Sequence, residues 1–249
     1  MSRVSRTFKI AWGIFKALVG LVIALVMGFL LWRIGSAGNP KSVSSLTPNE
    51  KICQAYEENG GELLLLTQEQ NSITRAENNY GYFSVTDHVF VPDANQVQLI
   101  FRYNNSTIRA LVEDYGLAET PAREAELYDV TLLLAIDLTP ENTEDNDGND
   151  PESVRFVRVS ASGEPTSDTT TLYNFRRFVF DVGESGEDLK TLMESGNLLA
   201  IYADIYYNQD IDYEKTPYGV LCLYDYETKT EEVKLSQKDR KALQSFARP

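Results

Sequence analysis

Histidine is almost missing from this chain: His88 is the only one among 249 residues. One imidazole and two distant cysteines cannot build a typical zinc site. Ser84 and Asp87 lie beside His88, but a nucleophile–base–acid triad is a three-dimensional arrangement that neighbours on one short strand do not supply. Cysteine is nearly as scarce. Cys53 and Cys222 are too few for a disulfide framework and form no C-x-x-C motif. They either bridge the start of the domain to a late strand or stand as two separate thiols, and both readings stay open. Tryptophan stops at Trp32, which excludes the Cys…Trp…Cys core of a true immunoglobulin domain. Phosphate-binding and dinucleotide-binding glycine motifs are absent. Gly183-Glu184-Ser185-Gly186-Glu187 lacks the last glycine of a nucleophile elbow, and no Ser-x-x-Lys occurs. No catalytic residue and no cofactor is expected from these patterns.

Acid is absent from the first 41 residues, which hold six of the 23 basic side chains and none of the 37 acids. The remainder therefore carries 17 basic and 37 acidic side chains, a net of −20. A field of that sign repels nucleic acid and anionic lipid, so nucleic acid is excluded as a partner. The acidity itself reads first as a means of keeping an exposed domain soluble.

Beyond residue 33 no long hydrophobic run occurs. Before it, Ile10 to Trp32 is apolar for 23 residues, broken only by Lys16. At about 1.5 Å per residue such a helix crosses a bilayer core of about 30 Å. Trp12 and Trp32 lie 20 residues apart. That spacing is about 30 Å along a helix, and it sets one indole at each interface. Lys16 snorkels to the Trp12 side and Arg33 closes the other. The basic excess before the segment places the N-terminus in the cytoplasm and the large domain outside. Cleavage after Ala37, behind Gly35-Ser36, is the competing reading; the run is longer than a usual signal-peptide core and Arg33 intervenes, which favours an uncleaved anchor. The expected organisation is a basic cytoplasmic tail (1–9), a transmembrane signal anchor (10–33), a linker (34–46) and an extracytoplasmic β-rich domain (47–249).

Within that domain, Thr47 as cap, Pro48 at the first helical position and Glu50 predict a helix over Pro48–Asn59, ended by Gly60-Gly61. The period then changes to two. Nine strands are expected, at Leu63–Gln68, Tyr80–Thr86, Val97–Tyr103, Tyr128–Leu138, Val154–Ser160, Leu172–Val182, Leu198–Tyr207, Tyr218–Tyr226 and Glu231–Leu235. Alternation is clearest where Val130, Leu132, Leu134 and Ile136 share a face. Arg176 and Arg177 precede Phe178, Val179 and Phe180, as in a strand running from wet to buried. Thr107–Tyr115 reads as a short helix capped by Ser106, and Gln237–Ala247 as a closing helix capped by Ser236. The fold class is mainly β: an N-terminal transmembrane helix, then an antiparallel β-sandwich of Ig-like architecture with a short helix before it and one after.

Three groups of residues are candidates for binding. In Glu141–Glu152, Asp145, Asp147 and Asp150 resemble part of a calcium loop, but Thr143 and Val154 stand where its anchoring carboxylates belong, so a solvated hairpin loop is favoured. Asp204, Asp210 and Asp212, interleaved with Tyr206 and Tyr207, form a patch suited to sugars, cations or basic peptides, or equally an ordinary turn. Arg102, Arg109, Arg176 and Arg177 pair with surface carboxylates or form an anion- or partner-binding patch. The reading that fits best is a membrane-anchored extracytoplasmic binding or scaffolding module, as in a bacterial envelope, engaging the bilayer through residues 10–33 and another envelope protein or surface ligand through the domain. A membrane-tethered, carboxylate-dependent hydrolase of glycosidase type is the alternative.

Overall fold

The computed structural model describes residues 3–35, 46–68, 84–104, 106, 109, 113, 128–138, 153–169, 173–207 and 219–246. Helix α1 (Arg3–Gly35) contains one stretch, Trp12–Trp32, long and apolar enough to cross a membrane. None of that stretch is buried against the rest of the chain. Lys16 Nζ lies over the Trp12 ring, 5.6 Å from its centroid. The indoles of Trp12 and Trp32 pack on Phe15 and Phe29.

The domain holds two antiparallel sheets. The strands are β1 (Leu66–Gln68), β2 (Ser84–Val91), β3 (Gln96–Tyr103), β4 (Tyr128–Asp137), β5 (Val154–Val159), β6 (Thr166–Thr169), β7 (Asn174–Asp181), β8 (Leu198–Tyr207), β9 (Gly219–Asp225) and β10 (Thr230–Glu232). Six form one sheet in the order β10-β1-β2-β3-β7-β6, and four form the other as β5-β4-β8-β9. Alternation decides which side chains meet between them. Val130, Leu132, Leu134 and Ile136 of β4 all enter the buried cluster, as their spacing predicts, facing Val97, Leu99 and Phe101 of β3 and Phe178 and Phe180 of β7.

The other face of the six-stranded sheet carries a second, smaller apolar layer. Val89 and Val91 of β2 alternate with the inward Phe90 and pack under two helices, α2 (Glu50–Glu58) and α4 (Gln237–Phe246). Ile52 and Cys53 of α2 and Leu243 of α4 close this layer, and the two helices touch. A short helix, α3 (Leu189–Glu194), follows β7 after a 3₁₀ turn. Asn95, in the left-handed region at φ 54°, holds the turn between β2 and β3 to that segment. Its side chain donates to Glu187 O (2.8 Å) and accepts from Leu189 N (2.8 Å).

Several expectations are corrected. The cap of α2 is Asn49, not Thr47: Asn49 Oδ1 accepts from Ile52 N at 3.0 Å. Gly60 and Gly61 do end this helix, both at positive φ. In α4, Ser236 Oγ accepts from Asp239 N (3.1 Å) and the Asp239 carboxylate reaches back to Ser236 N (3.3 Å), a reciprocal cap. Strand β2 continues through Asp87 and His88 to Val91, and a bulge between Val85 and Asp87 lets both faces stay in register. Residues 80–83 of the expected strand lie outside the described residues. Strand β6 adds to the nine expected strands: Thr166-Ser167-Asp168-Thr169 has no apolar face to mark it in the sequence, and as an edge strand it needs none. Ser106, Arg109 and Glu113 are helical and exposed, and the rest of Thr107–Tyr115 lies outside the described residues.

Arg176 is the largest surprise. It lies on the inward face, opposite Phe101, and is buried rather than wet. Its guanidinium stacks 5.0 Å from the centroids of both Tyr128 and Phe178 and donates through Nη1 to Tyr128 O at 2.6 Å. A planar, weakly hydrated cation between two rings tolerates such a place where an ammonium would not.

Candidate functional site

Arg177, Val179 and Asp181 stand two residues apart along β7, so all three project from the outer face of the six-stranded sheet. Gln96 and Gln98 of β3 lie opposite Asp181 and Val179 in the register. The segment entering the domain, Leu46–Asn49, runs over them. Thr47 N donates to Gln98 Oε1 (2.7 Å), and Gln98 Nε2 donates back to Thr47 O (3.1 Å). Asn49 Nδ2 donates to Gln96 Oε1 at 2.9 Å. Arg177 Nη1 donates to Thr47 Oγ1 at 2.8 Å. Both glutamines are almost wholly buried, where a side-chain amide must find partners, and the entering segment supplies them.

Beside this clasp opens a cleft of about 310 Å³, at the lower end of the ~300–1,000 Å³ typical of small-molecule sites. The first turn of α2 makes one wall with Asn49, Glu50 and Lys51. Ser162 and Glu164, between β5 and β6, and Thr166 of β6 make the opposite wall, and Val179 supplies an apolar patch on the floor. Asp181 is buried at the end of β7, where Oδ1 accepts from Gly183 N (3.0 Å) and Oδ2 meets Lys51 Nζ. Lys51 itself is half exposed. Arg177 is held differently. Burial pushes its guanidinium down from the usual arginine value, and the charges of Asp87 and Asp239 pull it back up. Burial in turn raises the Asp87 carboxyl.

Of the acidic patch expected around residue 204, the structure describes Asp204 and Tyr206. Asp204 is buried on the outer face of the four-stranded sheet, and Arg158 of β5 donates through Nη1 to both Asp204 Oδ2 and Tyr206 Oη, each at 3.0 Å. Burial raises the Asp204 carboxyl, against the Arg158 hydrogen bond that lowers it. Asp204 is thus engaged within the sheet. Tyr207 ends β8, while its side chain and all of Asp210 and Asp212 lie outside the described residues. Asp145, Asp147 and Asp150 lie outside them too. Among the described residues no three His, Cys, Asp or Glu side chains gather to hold a metal ion.

Cys53 and Cys222 are thiols and form no disulfide. Cys53 is buried between α2 and α4, with Sγ 3.9 Å from Leu243 O; Cys222 is half-buried on β9, with Sγ 3.3 Å from Tyr224 O. Burial pushes the Cys53 thiol up, so it is an inert packing group. His88 faces the inter-sheet side. Its Nε2 lies 3.4 Å from both Gln68 N and Thr67 Oγ1, and burial pushes the imidazole down to about 4. Arg102 lies over the Tyr173 ring at 4.7 Å.

Of the residues lining the cleft, the sequence marks only Arg177 as a candidate for binding, within its group of four arginines. Gln96 and Gln98 alternate with Val97 and Leu99, which reads as a solvated face; only the distant entering segment, through Thr47 and Asn49, covers it. Lys51 and Asp181 are 130 residues apart, and no local pattern links them. The arrangement can recognise polar and charged groups, with carboxylates, hydroxyls and amides converging on a small concave surface. The sequence matches no protein-family profile and no curated protein, and no solved structure matches its fold.

Proposed function

We propose that this protein is a membrane-anchored binding or scaffolding module whose domain stands outside the cytoplasm, as an envelope protein would. The observation that carries this reading is the Trp12–Trp32 stretch, which is apolar throughout except for Lys16 and exposed along its whole length. The domain closes both of its own apolar layers without it. An apolar surface of that size needs a cover, and a bilayer is the cover whose thickness it matches. Two facing antiparallel sheets support a sandwich of Ig-like architecture; the likeness stops at the layers, because the six-and-four strand order is not the ABED and CFG order of immunoglobulin domains.

The anchor also sets the reach of the module. Ten residues separate Gly35 from Leu46, so the clasped start of the domain lies within about 40 Å of the helix end. Thr47 lines the cleft, which keeps the cleft near the membrane face. The test has two parts. An impermeant protease applied to intact cells degrades the domain if it stands outside; full protection reverses the topology. Purification of the full chain in mild detergent recovers a stoichiometric partner if the module is a scaffold, and a partner-free protein that binds no small ligand in screens removes the reading.

A further inference from the structure

We propose that the cleft between α2 and β7 is a receptor for an alkylammonium group, and that Lys51 is the intramolecular stand-in for that ligand. The inference rests on the reading of the domain as a binding module and names the ligand class of its cleft.

Asp181 supplies the first reason. Its side chain is 5% exposed and its position is fixed by the Gly183 N–H, whereas the Lys51 side chain on the same carboxylate is 53% exposed. One partner is built into the sheet and the other arrives on a long, solvated stem. Ordering the exposed lysine stem offsets part of the attraction, so the pair is held chiefly from the Asp181 side. A lysine ammonium resting on a buried carboxylate shows which chemistry the site accepts, and it can leave easily.

The second reason is the rest of the lining. Glu50 and Glu164 add two rim carboxylates, so with Lys51 displaced only Arg177 opposes three acids. Arg177 is committed elsewhere, bonded to Thr47 and set among the charges of Asp87 and Asp239. An anionic ligand would meet net repulsion there. A hard divalent ion favours several carboxylates converging on one point, and among the described residues no three His, Cys, Asp or Glu side chains gather in that way. An alkylammonium fits: the Asp181 carboxylate takes its charge, the Ser162 and Thr166 hydroxyls flank its N–H groups, and Val179 takes the alkyl chain. The volume equals about ten liquid waters, enough for four or five carbons.

The test is calorimetric titration of the full-length protein in detergent micelles with n-butylammonium chloride, with sodium chloride, n-butanol and sodium butyrate as matched controls. If Lys51 occupies Asp181 in nine molecules of ten, Lys51→Met binds n-butylammonium about tenfold more tightly than the unmodified protein. Asp181→Asn reduces binding below detection. Because Lys51 is half exposed, Lys51→Met folds and decides the matter even if Asp181→Asn does not. A blocked lysine, Nα-acetyl-lysine methylamide, binding more tightly than n-butylammonium marks the ligand as a polypeptide side chain; equal binding marks a free amine. Equal n-butylammonium affinity in Lys51→Met and the unmodified protein overturns the proposal, as does butyrate binding in its place. If no amine binds yet a partner still co-purifies, the ligand class fails while the module reading survives.

Discussion

The two apolar layers of the domain differ in what surrounds them. Between the sheets, some two dozen side chains pack as an apolar cluster drawn from both sheets, with Phe90, Phe101, Phe178 and Phe180 wholly buried. Under α2 and α4 the layer is smaller, and buried polar groups border it: Gln96, Gln98, Asp181 and Asp239, with Asp87 and Arg177 half-buried nearby. The first layer gives the domain its stability. The second joins the tether to the sheet and shapes the cleft. The inter-sheet layer has buried polar groups too, Arg176 and His88, but those of the second layer gather beside the cleft, and each must be satisfied at some cost in desolvation.

The largest expected effect lies in the first layer. Phe180→Ala should destabilise the domain by about 3–5 kcal/mol in urea unfolding, because it empties a volume that neighbouring rings cannot fill. Leu243→Ala, at the rim of the second layer, should cost about 2–3 kcal/mol, since the end of α4 can settle into the gap. Equal costs would show that the two layers do not differ in this way.

Next comes His88, which lies on the inter-sheet side. The fold holds its imidazole neutral, with an acidity near 4 against an ordinary 6.5. The unfolded chain therefore binds the proton first as pH falls. The stabilisation from neutral burial is complete above pH 6.5 and is lost as pH falls toward 4, a change of about 3 kcal/mol. The raised carboxyls of Asp87 and Asp204 work in the opposite direction: their contribution is present at low pH and is lost as pH rises through their folded values. Melting temperature should drop between pH 7 and pH 5, and His88→Gln should flatten that slope. A slope unchanged in His88→Gln would assign it to other groups.

These contrasts also explain what the sequence could reveal. Val130, Leu132, Leu134 and Ile136 announce the first layer because period-two alternation is a local signal. The second layer is built from Val89, Ile52 and Leu243, which meet only after the chain folds back. Arg176 and Arg177 make the same point at closest range. They are adjacent, so they must point to opposite faces, but no sequence rule says that both faces are covered. Rings of Tyr128 and Phe178 from two strands turn the first into a core residue. Thr47, from the entering segment, fixes the second.

Gln98 tests the clasp directly. Its amide satisfies both the N–H and the carbonyl of Thr47. Gln98→Ala should cost about 1–3 kcal/mol through the unmet backbone groups. The sharper readout is local: limited proteolysis within residues 46–49 should accelerate, while unfolding of the inter-sheet layer changes less. Uniform acceleration across the whole domain would mean that the clasp belongs to the global core.

Ion pairs at the surface should matter least. Arg155 Nη2 lies 2.6 Å from Glu187 Oε1, linking edge strand β5 to the segment before α3, and the arginine is about half exposed. Arg155 stays hydrated when the pair opens and Glu187 keeps 13% of its side chain exposed, so Arg155→Ala should change stability by no more than about 1 kcal/mol. Lys51–Asp181 is similar but its carboxylate is more deeply buried, 5% exposed against 13% for Glu187. Removing Lys51 leaves that charge without its partner, and the cost should exceed the Arg155 value unless an added amine replaces it. A Lys51→Met protein as stable as Arg155→Ala without amine, and indifferent to amine, would mean that solvent already reaches Asp181 and that the second layer is no more selective than the open surface.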